Sequence, residues 1–296
     1  MNLRERLVDP KSPERRPRRA AYVLPTLFTA GNVFFGFYAL IEILVGAMQI
    51  AQGVANANQH FIRASLAIGW AVLLDGLDGR IARMTNTVSD FGREMDSLAD
   101  VIAFGIAPAA LAFVWGVQFV QPVEGVDPKY FEHLNGAGYF FSFMFLLCGA
   151  MRLARFNIQK NPMPKNPGRP DRKYFVGLAI PSGAAVVSSI VYVCDGVPVR
   201  GWMWCAGWLA LLALLSFLMV STWRYPSFKD LSLTRPRSPV TIILLVAVIL
   251  MIWLFSKPAL FAMAIAYMLS GIVIRVGGIV RRRLKPPRPE PEHQVG

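Results

Sequence analysis

Residues 73–100 read LLDGLDGRIARMTNTVSDFGREMDSLAD, a stretch that holds five aspartates and one glutamate. Apolar runs flank this stretch on both sides, and each is long enough to cross a bilayer as a helix of about 20 residues. Since backbone groups in lipid must satisfy their hydrogen bonds internally, we expect both runs to be helical. The stretch therefore predicts two antiparallel membrane helices, joined by a short polar turn, with carboxylates near the membrane surface.

The whole chain has the composition of a polytopic membrane protein, with 54% hydrophobic residues among its 296. A soluble domain of this length would not need repeated apolar runs of bilayer-spanning length. We therefore expect an all-α transmembrane bundle of about eight spans, of which the seventh is short and could pair with the eighth as a hairpin. The expected spans are roughly residues 24–48, 61–84, 90–118, 137–157, 175–195, 202–221, 240–255 and 259–280.

The net charge of +13 is distributed unevenly along the chain. Lys and Arg are concentrated at both termini and in alternate turns, whereas the largest turn on the other side, residues 121–136, is net acidic. By the positive-inside rule, this asymmetry predicts an integral inner-membrane protein with both termini and the aspartate-rich turn in the cytoplasm. Nucleic-acid binding explains the charge poorly, because the basic residues are divided among separate membrane-edge segments.

Charge and hydropathy together predict four segments. The expected segments are a basic cytosolic segment at 1–23, a membrane domain at 24–221, a two-helix extension at 222–280 and a basic, proline-rich tail at 281–296.

The three cysteines lack the spacing of a disulfide framework or a zinc site, and we interpret them as packing residues.

The carboxylates of residues 73–100 include two pairs with helical spacing. Asp75 and Asp78 are three residues apart, and Asp96 and Asp100 are four apart, so each pair shares one helix face. On antiparallel neighbours the pairs face each other across a groove, where four carboxylates would repel one another. Two Mg²⁺ or Mn²⁺ ions, which prefer oxygen ligands, could neutralise them and bind a phosphate-bearing substrate. The small residues that leave room for such a substrate are Gly79, Ala82 and Gly92.

The complete pattern is D-x2-D-G-x2-A-R-x8-G-x3-D-x3-D, and it is similar to the signature of the CDP-alcohol phosphotransferases. This resemblance implies an integral membrane enzyme that transfers a phosphatidyl or similar group from a CDP-linked donor to an alcohol and releases CMP. It also implies a six-helix core, followed here by two C-terminal spans, and a homodimer. The matching residues are Asp75, Asp78, Gly79, Ala82, Arg83, Gly92, Asp96 and Asp100.

Further stretches resemble the phosphatidylserine synthase branch of that family. They are LPTLFTAGNVFFGFYAL at 24–40, DSLADVIAFGIAPA at 96–109, RLARFNI at 152–158 and YFVGLAIPSGAA at 174–185. The resemblance implies that CDP-diacylglycerol is the donor and L-serine the acceptor. The last two expected spans and both tails add nothing to it.

The resemblance also implies roles for individual residues. Asp75, Asp78, Asp96 and Asp100 would bind metal, and Asp100 would be the catalytic base that accepts the proton of the serine hydroxyl. Thr26 departs from the family pattern, because many relatives carry Asn there. Thr29 and Asn32 are weaker candidates for donor contacts, one or two turns deeper in the first span. The expected donor-binding residues are Pro25, Thr26, Thr29, Gly79, Ala82, Arg83, Ser89 and Gly92.

The acceptor site should offer a cation, because serine carries a carboxylate as well as an amine. Arg152 and Arg155 lie at helical spacing near the end of the fourth expected span. These two arginines could bind the serine carboxylate, bind lipid phosphate, or extend to the membrane interface as long basic side chains often do.

Two other functions compete with serine transfer. A sister enzyme with glycerol 3-phosphate or inositol phosphate as acceptor would need an added basic cluster, and the basic residues at 160–173 keep that alternative open. A cation-coupled transporter would place acids near the bilayer midplane in several broken helices. The acids here cluster at one edge of two spans, which favours the enzyme.

Overall fold

The computed structural model describes residues 19–85, 90–123, 125, 127–160, 174–226 and 250–284. Its helices are, in chain order, α1 (Arg19–Ala51), α2 (Asn58–Thr85), α3 (Asp90–Asp100), a π-helical segment (Val101–Ile106), α4 (Ala107–Gly116), α5 (Pro128–Lys160), α6 (Ile180–Val193), α7 (Trp202–Val220) and α8 (Ser256–Leu284). Two short strands, β1 (Tyr174–Val176) and β2 (Arg224–Pro226), form an antiparallel pair. Residues 250–254 are also helical.

Six helical runs of the described chain are long and apolar enough to cross a membrane. A seventh helix, α6, is apolar but shorter. These seven correspond to seven of the eight expected spans, and the prediction of an all-α polytopic bundle is confirmed. The remaining expected span, 240–255, lies mostly outside the described residues. The six spanning runs are Leu27–Ala51, Asn58–Leu77, Phe91–Gly116, Pro128–Ile158, Trp202–Val220 and Ser256–Gly277.

The expected fifth span, 175–195, begins too early. Residues Tyr174–Val176 are the strand β1, which pairs with β2, and the helix starts only at Ile180. Gly177 separates the two elements with a φ of +78°, a conformation that favours glycine. A Cβ at this position would lie 2.6 Å from the carbonyl oxygen of Met219. The hydropathy of the sequence does not reveal this turn, because β1 is as apolar as the helix that follows.

The expected fourth span, 137–157, begins too late, since α5 already starts at Pro128. Proline suits the first turn of a helix because that turn needs no backbone donor from it. The Asp127 carboxylate accepts a hydrogen bond of 2.9 Å from the backbone N–H of Lys129 and so caps this turn. The polar first turns of α5 thus extend beyond the apolar part by which the span was recognised.

The run Phe91–Gly116, which joins α3, the π-helical segment and α4, is the centre of the bundle. Its most apolar part is 56% buried, against 17% to 44% for the other five spanning runs. Helix α1 packs closely along it, because Gly36 allows the backbone of Ala103 to approach. Helix α7 is tied to it by the Trp208 indole, which donates a 2.9 Å hydrogen bond to the Ala112 carbonyl. The aspartates at the start of this run are therefore held by the best-packed part of the protein.

Candidate active site

Helices α2 and α3 bring three aspartates together. One carboxylate oxygen from each of Asp75, Asp96 and Asp100 lies within 4.8 Å of the others. Asp100 is 8% exposed, whereas Asp75 and Asp96 are half-buried. The fourth predicted ligand, Asp78, lies one turn beyond Asp75 on α2, and its side chain is outside the described part of the structure. The geometry thus joins the two acidic pairs through three of their four members.

The backbone changes from α-helical to π-helical geometry directly after this cluster. Asp100 is the last residue of α3, and the π-helical segment Val101–Ile106 begins with the next residue. Single wide turns of this kind occur mostly at functional sites within otherwise α-helical runs. The segment is well supported, since Ala103, Phe104 and Gly105 are buried. The irregular turn therefore gives Asp100 a fixed position at the inner end of the cluster.

The donor set of this cluster suits a hard divalent cation. Three carboxylates offer only oxygen ligands, which Mg²⁺ and Mn²⁺ prefer over nitrogen or sulfur. Asp75 and Asp96 repel each other electrostatically, so a bound cation would also relieve an unfavourable interaction. The residues present therefore fit the expected metal.

A positive charge of the protein itself also acts on the cluster. Arg152, on α5, is half-buried, and its charge interacts favourably with those of Asp100 and Asp75. Its guanidinium lies 5.8 Å from the centre of the Phe156 ring. The buried Nε atom has no hydrogen-bond partner among the described residues. Arg155, the second predicted acceptor residue, is exposed, and no described contact brings it to the aspartates.

A polar contact that the sequence analysis did not identify ties α5 to α3 beside the aspartates. The Asn157 amide donates a 2.7 Å hydrogen bond to the Ser97 hydroxyl, which in turn donates one of 3.0 Å to the Arg93 carbonyl. Ser97 directly follows Asp96 in the chain. The bond fixes the distance between the helix that carries Arg152 and the helix that carries Asp96. The sequence signal for this contact was the presence of an amide side chain, Asn157, and a hydroxyl side chain, Ser97, within apolar runs.

The structure shows the side-chain surroundings of only part of the predicted donor site. Thr29 is buried on α1, and Gly92 is half-buried on α3. Asn32, one turn beyond Thr29, is fully buried, and its amide atoms have no hydrogen-bond partner among the described residues. Ser89 lies outside the described residues. The other predicted donor residues are on described helices, but their side chains are not described: Pro25, Thr26, Gly79, Ala82 and Arg83.

One residue near the cluster comes from the far end of the chain. Tyr267, on α8, is half-buried and interacts electrostatically with Arg152. The sequence analysis missed Tyr267, because the expected last span showed no acidic pair and no family resemblance. A tyrosine within an apolar span, whose hydroxyl needs a partner, was the only local signal.

Comparison with known proteins agrees with this geometry. Residues 22–214 match the family described as CDP-alcohol phosphatidyltransferase. A CDP-diacylglycerol–serine O-phosphatidyltransferase of Helicobacter pylori is 35% identical over 214 residues, which cover 72% of this chain and 76% of the relative. A protein of the same name from Saccharomyces cerevisiae is 37% identical over 56% of this chain and 55% of its own length. An archaetidylserine synthase of Methanothermobacter thermautotrophicus is 31% identical over 69% of each chain.

The matched region contains the whole acidic signature and both helices that carry it. It also contains Arg152, whereas α8 and its Tyr267 lie beyond it. With the family match extending over more than half of the chain, and with three aspartates of the signature converging, the protein belongs to the CDP-alcohol phosphatidyltransferase family.

Proposed function

We propose that this protein is an integral membrane enzyme that transfers the phosphatidyl group of CDP-diacylglycerol to L-serine, giving phosphatidylserine and CMP. The observation that carries the proposal is the convergence of Asp75, Asp96 and Asp100 within 4.8 Å in a chain of this family. The names of two relatives, which state serine as the acceptor, support the choice of alcohol.

The acidic cluster is the proposed site of two divalent ions, Mg²⁺ or Mn²⁺, in accordance with the use of divalent metals by the family. The ligands would be Asp75, Asp78, Asp96 and Asp100. When bound, the ions neutralise the charge of the donor pyrophosphate and stabilise CMP as a leaving group.

Asp100 is the proposed general base. As the serine hydroxyl oxygen attacks the β-phosphorus of the donor, its proton passes to the Asp100 carboxylate. The bond between that phosphorus and the bridging oxygen breaks, and the electron pair leaves with CMP. Burial of Asp100 and its position at the start of the π-helical segment hold the carboxylate in one place. This fixed position matters because such transfers depend mainly on positioning and electrostatic stabilisation.

The two substrates would approach the aspartates from different helices. Helix α1 packs on the run Phe91–Gly116, near whose start Gly92 lies, so a donor could lie between α1, α2 and α3. Arg83 would bind a donor phosphate, and Arg152 would bind the serine carboxylate, for which a guanidinium has matching geometry. Arg155, which is exposed, would attract the acceptor at the mouth of the site. The remaining proposed donor contacts are Pro25, Thr26, Thr29, Gly79, Ala82, Ser89 and Gly92.

The membrane orientation is part of the same proposal. The unequal distribution of basic residues supports cytoplasmic termini and a cytoplasmic active site in the inner membrane. A protease or a thiol label applied to sealed vesicles would test the orientation.

We also propose that the protein forms a homodimer. Its chain is divided into a basic segment at 1–23, a catalytic domain at 24–221, an extension at 222–280 and a tail at 281–296.

The reaction is tested with purified protein, CDP-diacylglycerol and either Mg²⁺ or Mn²⁺. Labelled serine, glycerol 3-phosphate and inositol phosphate are supplied separately, and released CMP is measured. We expect CMP release with serine alone. Release with glycerol 3-phosphate or inositol phosphate instead of serine would identify a sister enzyme, and cation flux into proteoliposomes without CMP release would identify a transporter.

A further inference from the structure

The hydrogen bonds of Ser97 determine which way the Asn157 amide faces. The Ser97 hydroxyl donates its proton to the Arg93 carbonyl at 3.0 Å. A serine has only one O–H, so its oxygen can only accept the second bond, which comes from the Asn157 Nδ2 atom at 2.7 Å. The amide nitrogen of Asn157 therefore faces α3, and its carbonyl oxygen, Oδ1, is turned away from Ser97. This side chain is half-buried, and among the described residues no hydrogen bond uses Oδ1.

The Asn157 amide lies beside the aspartate cluster. Ser97 directly follows Asp96 and precedes Asp100 by three residues, within the last turns of α3. At about 100° per residue of an α-helix, the Asp100 side chain projects between the directions of Asp96 and Ser97. Since Ser97 is the residue that contacts α5, a molecule that reaches the Asp100 carboxylate from the α5 side passes next to Asn157.

The same part of α5 also carries a cation. The Arg152 guanidinium lies 5.8 Å from the centre of the Phe156 ring, and Phe156 directly precedes Asn157. The guanidinium therefore reaches along α5 to the turn that carries the free amide oxygen. Together the two side chains offer one positive charge and one uncharged hydrogen-bond acceptor. An α-amino acid needs both, because its carboxylate and its ammonium group are attached to the same carbon.

We propose that Asn157 is a specificity-determining residue for the acceptor, with its Oδ1 atom accepting a hydrogen bond from the ammonium group of an α-amino acid. The proposal rests on the proposed function, in which serine is the acceptor and Arg152 binds its carboxylate. With its hydroxyl at Asp100, the acceptor is then held at three points. Glycerol 3-phosphate and inositol phosphate have no ammonium group and would leave the amide oxygen unpaired, which disfavours them.

An amide oxygen suits this position better than a carboxylate. A further carboxylate would add negative charge to a cluster in which three carboxylates already converge. The uncharged Oδ1 atom can bind an ammonium group without this cost. The bond between the amide nitrogen and Ser97 keeps the oxygen from rotating away.

The test compares Asn157→Leu with Ser97→Ala. Both substitutions remove the hydrogen bond between α5 and α3, but only Asn157→Leu, which is close to asparagine in shape, removes the amide oxygen. Purified full-length proteins are assayed for CMP release over ranges of serine and CDP-diacylglycerol. Two competitors of serine are measured in each protein: alanine, which has the ammonium group without the hydroxyl, and 3-hydroxypropanoate, which has the hydroxyl without the ammonium group.

For Asn157→Leu we expect the KM for serine and the inhibition constant of alanine to rise together by about 10- to 100-fold, the range for a lost hydrogen bond to a charged group. The inhibition constant of 3-hydroxypropanoate and the KM for CDP-diacylglycerol should stay within about twofold of wild type, since neither molecule has an ammonium group. For Ser97→Ala we expect a rise of less than about threefold in serine KM, with the same factor for both competitors, because Oδ1 is retained.

Three results would overturn the inference: an unchanged serine KM in Asn157→Leu, an equal rise in Asn157→Leu and Ser97→Ala, or an equal weakening of both competitors in Asn157→Leu. Either of the last two would show that the amide only joins two helices. If Asn157→Leu does not fold, Asn157→Ala replaces it, with the same expected and refuting results. A wild-type protein that releases no CMP with serine would instead refute the proposed function itself.

Discussion

Replacing Gly36 by alanine tests whether α1 must lie directly on the run that carries two of the proposed catalytic aspartates, Asp96 and Asp100. A Cβ at this position would be 2.8 Å from the Cα and 3.1 Å from the backbone nitrogen of Ala103. Carbon atoms pack favourably at about 3.5–4.0 Å, so α1 and the π-helical segment would have to separate by about 1 Å. Neither atom belongs to a flexible side chain, and the strain cannot be relieved by a rotamer change.

We expect two effects of Gly36→Ala. Overpacking of this kind costs about 1–3 kcal/mol of unfolding free energy, which would lower the melting temperature by several degrees. Ala103 lies three residues after Asp100, so the displacement also moves the proposed catalytic base relative to the proposed donor contacts on α1. A misplacement of about 1 Å can reduce kcat/KM roughly 100-fold. The assay is CMP release in detergent, together with thermal unfolding of the same preparation.

Gly69→Ala on α2 is the control, because a Cβ there meets no atom within 4 Å. That variant should keep its rate, and alanine should make it slightly more stable, since glycine is the poorer helix former. A Gly36→Ala protein with wild-type rate and melting temperature would refute the close packing of α1 on the π-helical segment. A loss of rate in both variants would show that the effect is not specific to this contact.

Three further outcomes are expected. Asp100→Asn should reduce CMP release by about 10²–10⁴-fold and retain binding of CDP-diacylglycerol, and a near-normal rate would refute the base assignment. As a control, Asp195→Asn removes a carboxylate that forms an exposed ion pair with Lys257, and it should not change the rate. Glu42→Gln should cost about 1–3 kcal/mol of unfolding free energy in thermal or denaturant unfolding, because it removes a buried carboxylate 2.7 Å from the His60 ring; an unchanged melting temperature would contradict this. Burial raises the pKa of Tyr225 to about 12 from an ordinary 10, so the unfolded chain releases this proton first, and stability should fall as pH rises from about 10 towards 12. Melting temperatures over that range should fall less steeply in Tyr225→Phe, and equal slopes would contradict the assignment.

The bundle and the acidic cluster were predictable because each depends on a local pattern. Length and apolarity are sufficient to recognise a membrane helix, and the spacing of Asp75, Asp96 and Asp100 determines their helix faces. Antiparallel neighbours then meet near their connecting turn. These inferences need only a stretch of about 30 residues, within which the chain has few ways to fold in lipid.

The remaining features depend on contacts between distant parts of the chain. Strand β1 exists because β2 is available to pair with it, and neither segment shows strand periodicity by itself. Helix α8 packs on β2 through the hydrogen bond from the Tyr225 hydroxyl to the Met268 carbonyl, which joins two distant segments of the chain. No single-sequence pattern records such a contact. A lone tyrosine in an apolar span indicates a polar partner without indicating which one.

The polar groups at the two ends of the α1–α2 pair should affect different properties of the protein. At one end the Glu42 carboxylate contacts the His60 ring, whose other nitrogen is 3.0 Å from the Gln49 amide oxygen. At the other end Asp75 belongs to the aspartate cluster, the proposed catalytic site, about 22 Å from His60 along α2. Interactions over that distance contribute little to a transition state at the aspartates. Substitution of Glu42 should therefore change the free energy of unfolding and leave both KM values unchanged, whereas Gly36→Ala, whose contact lies next to Asp100, should change stability and rate together.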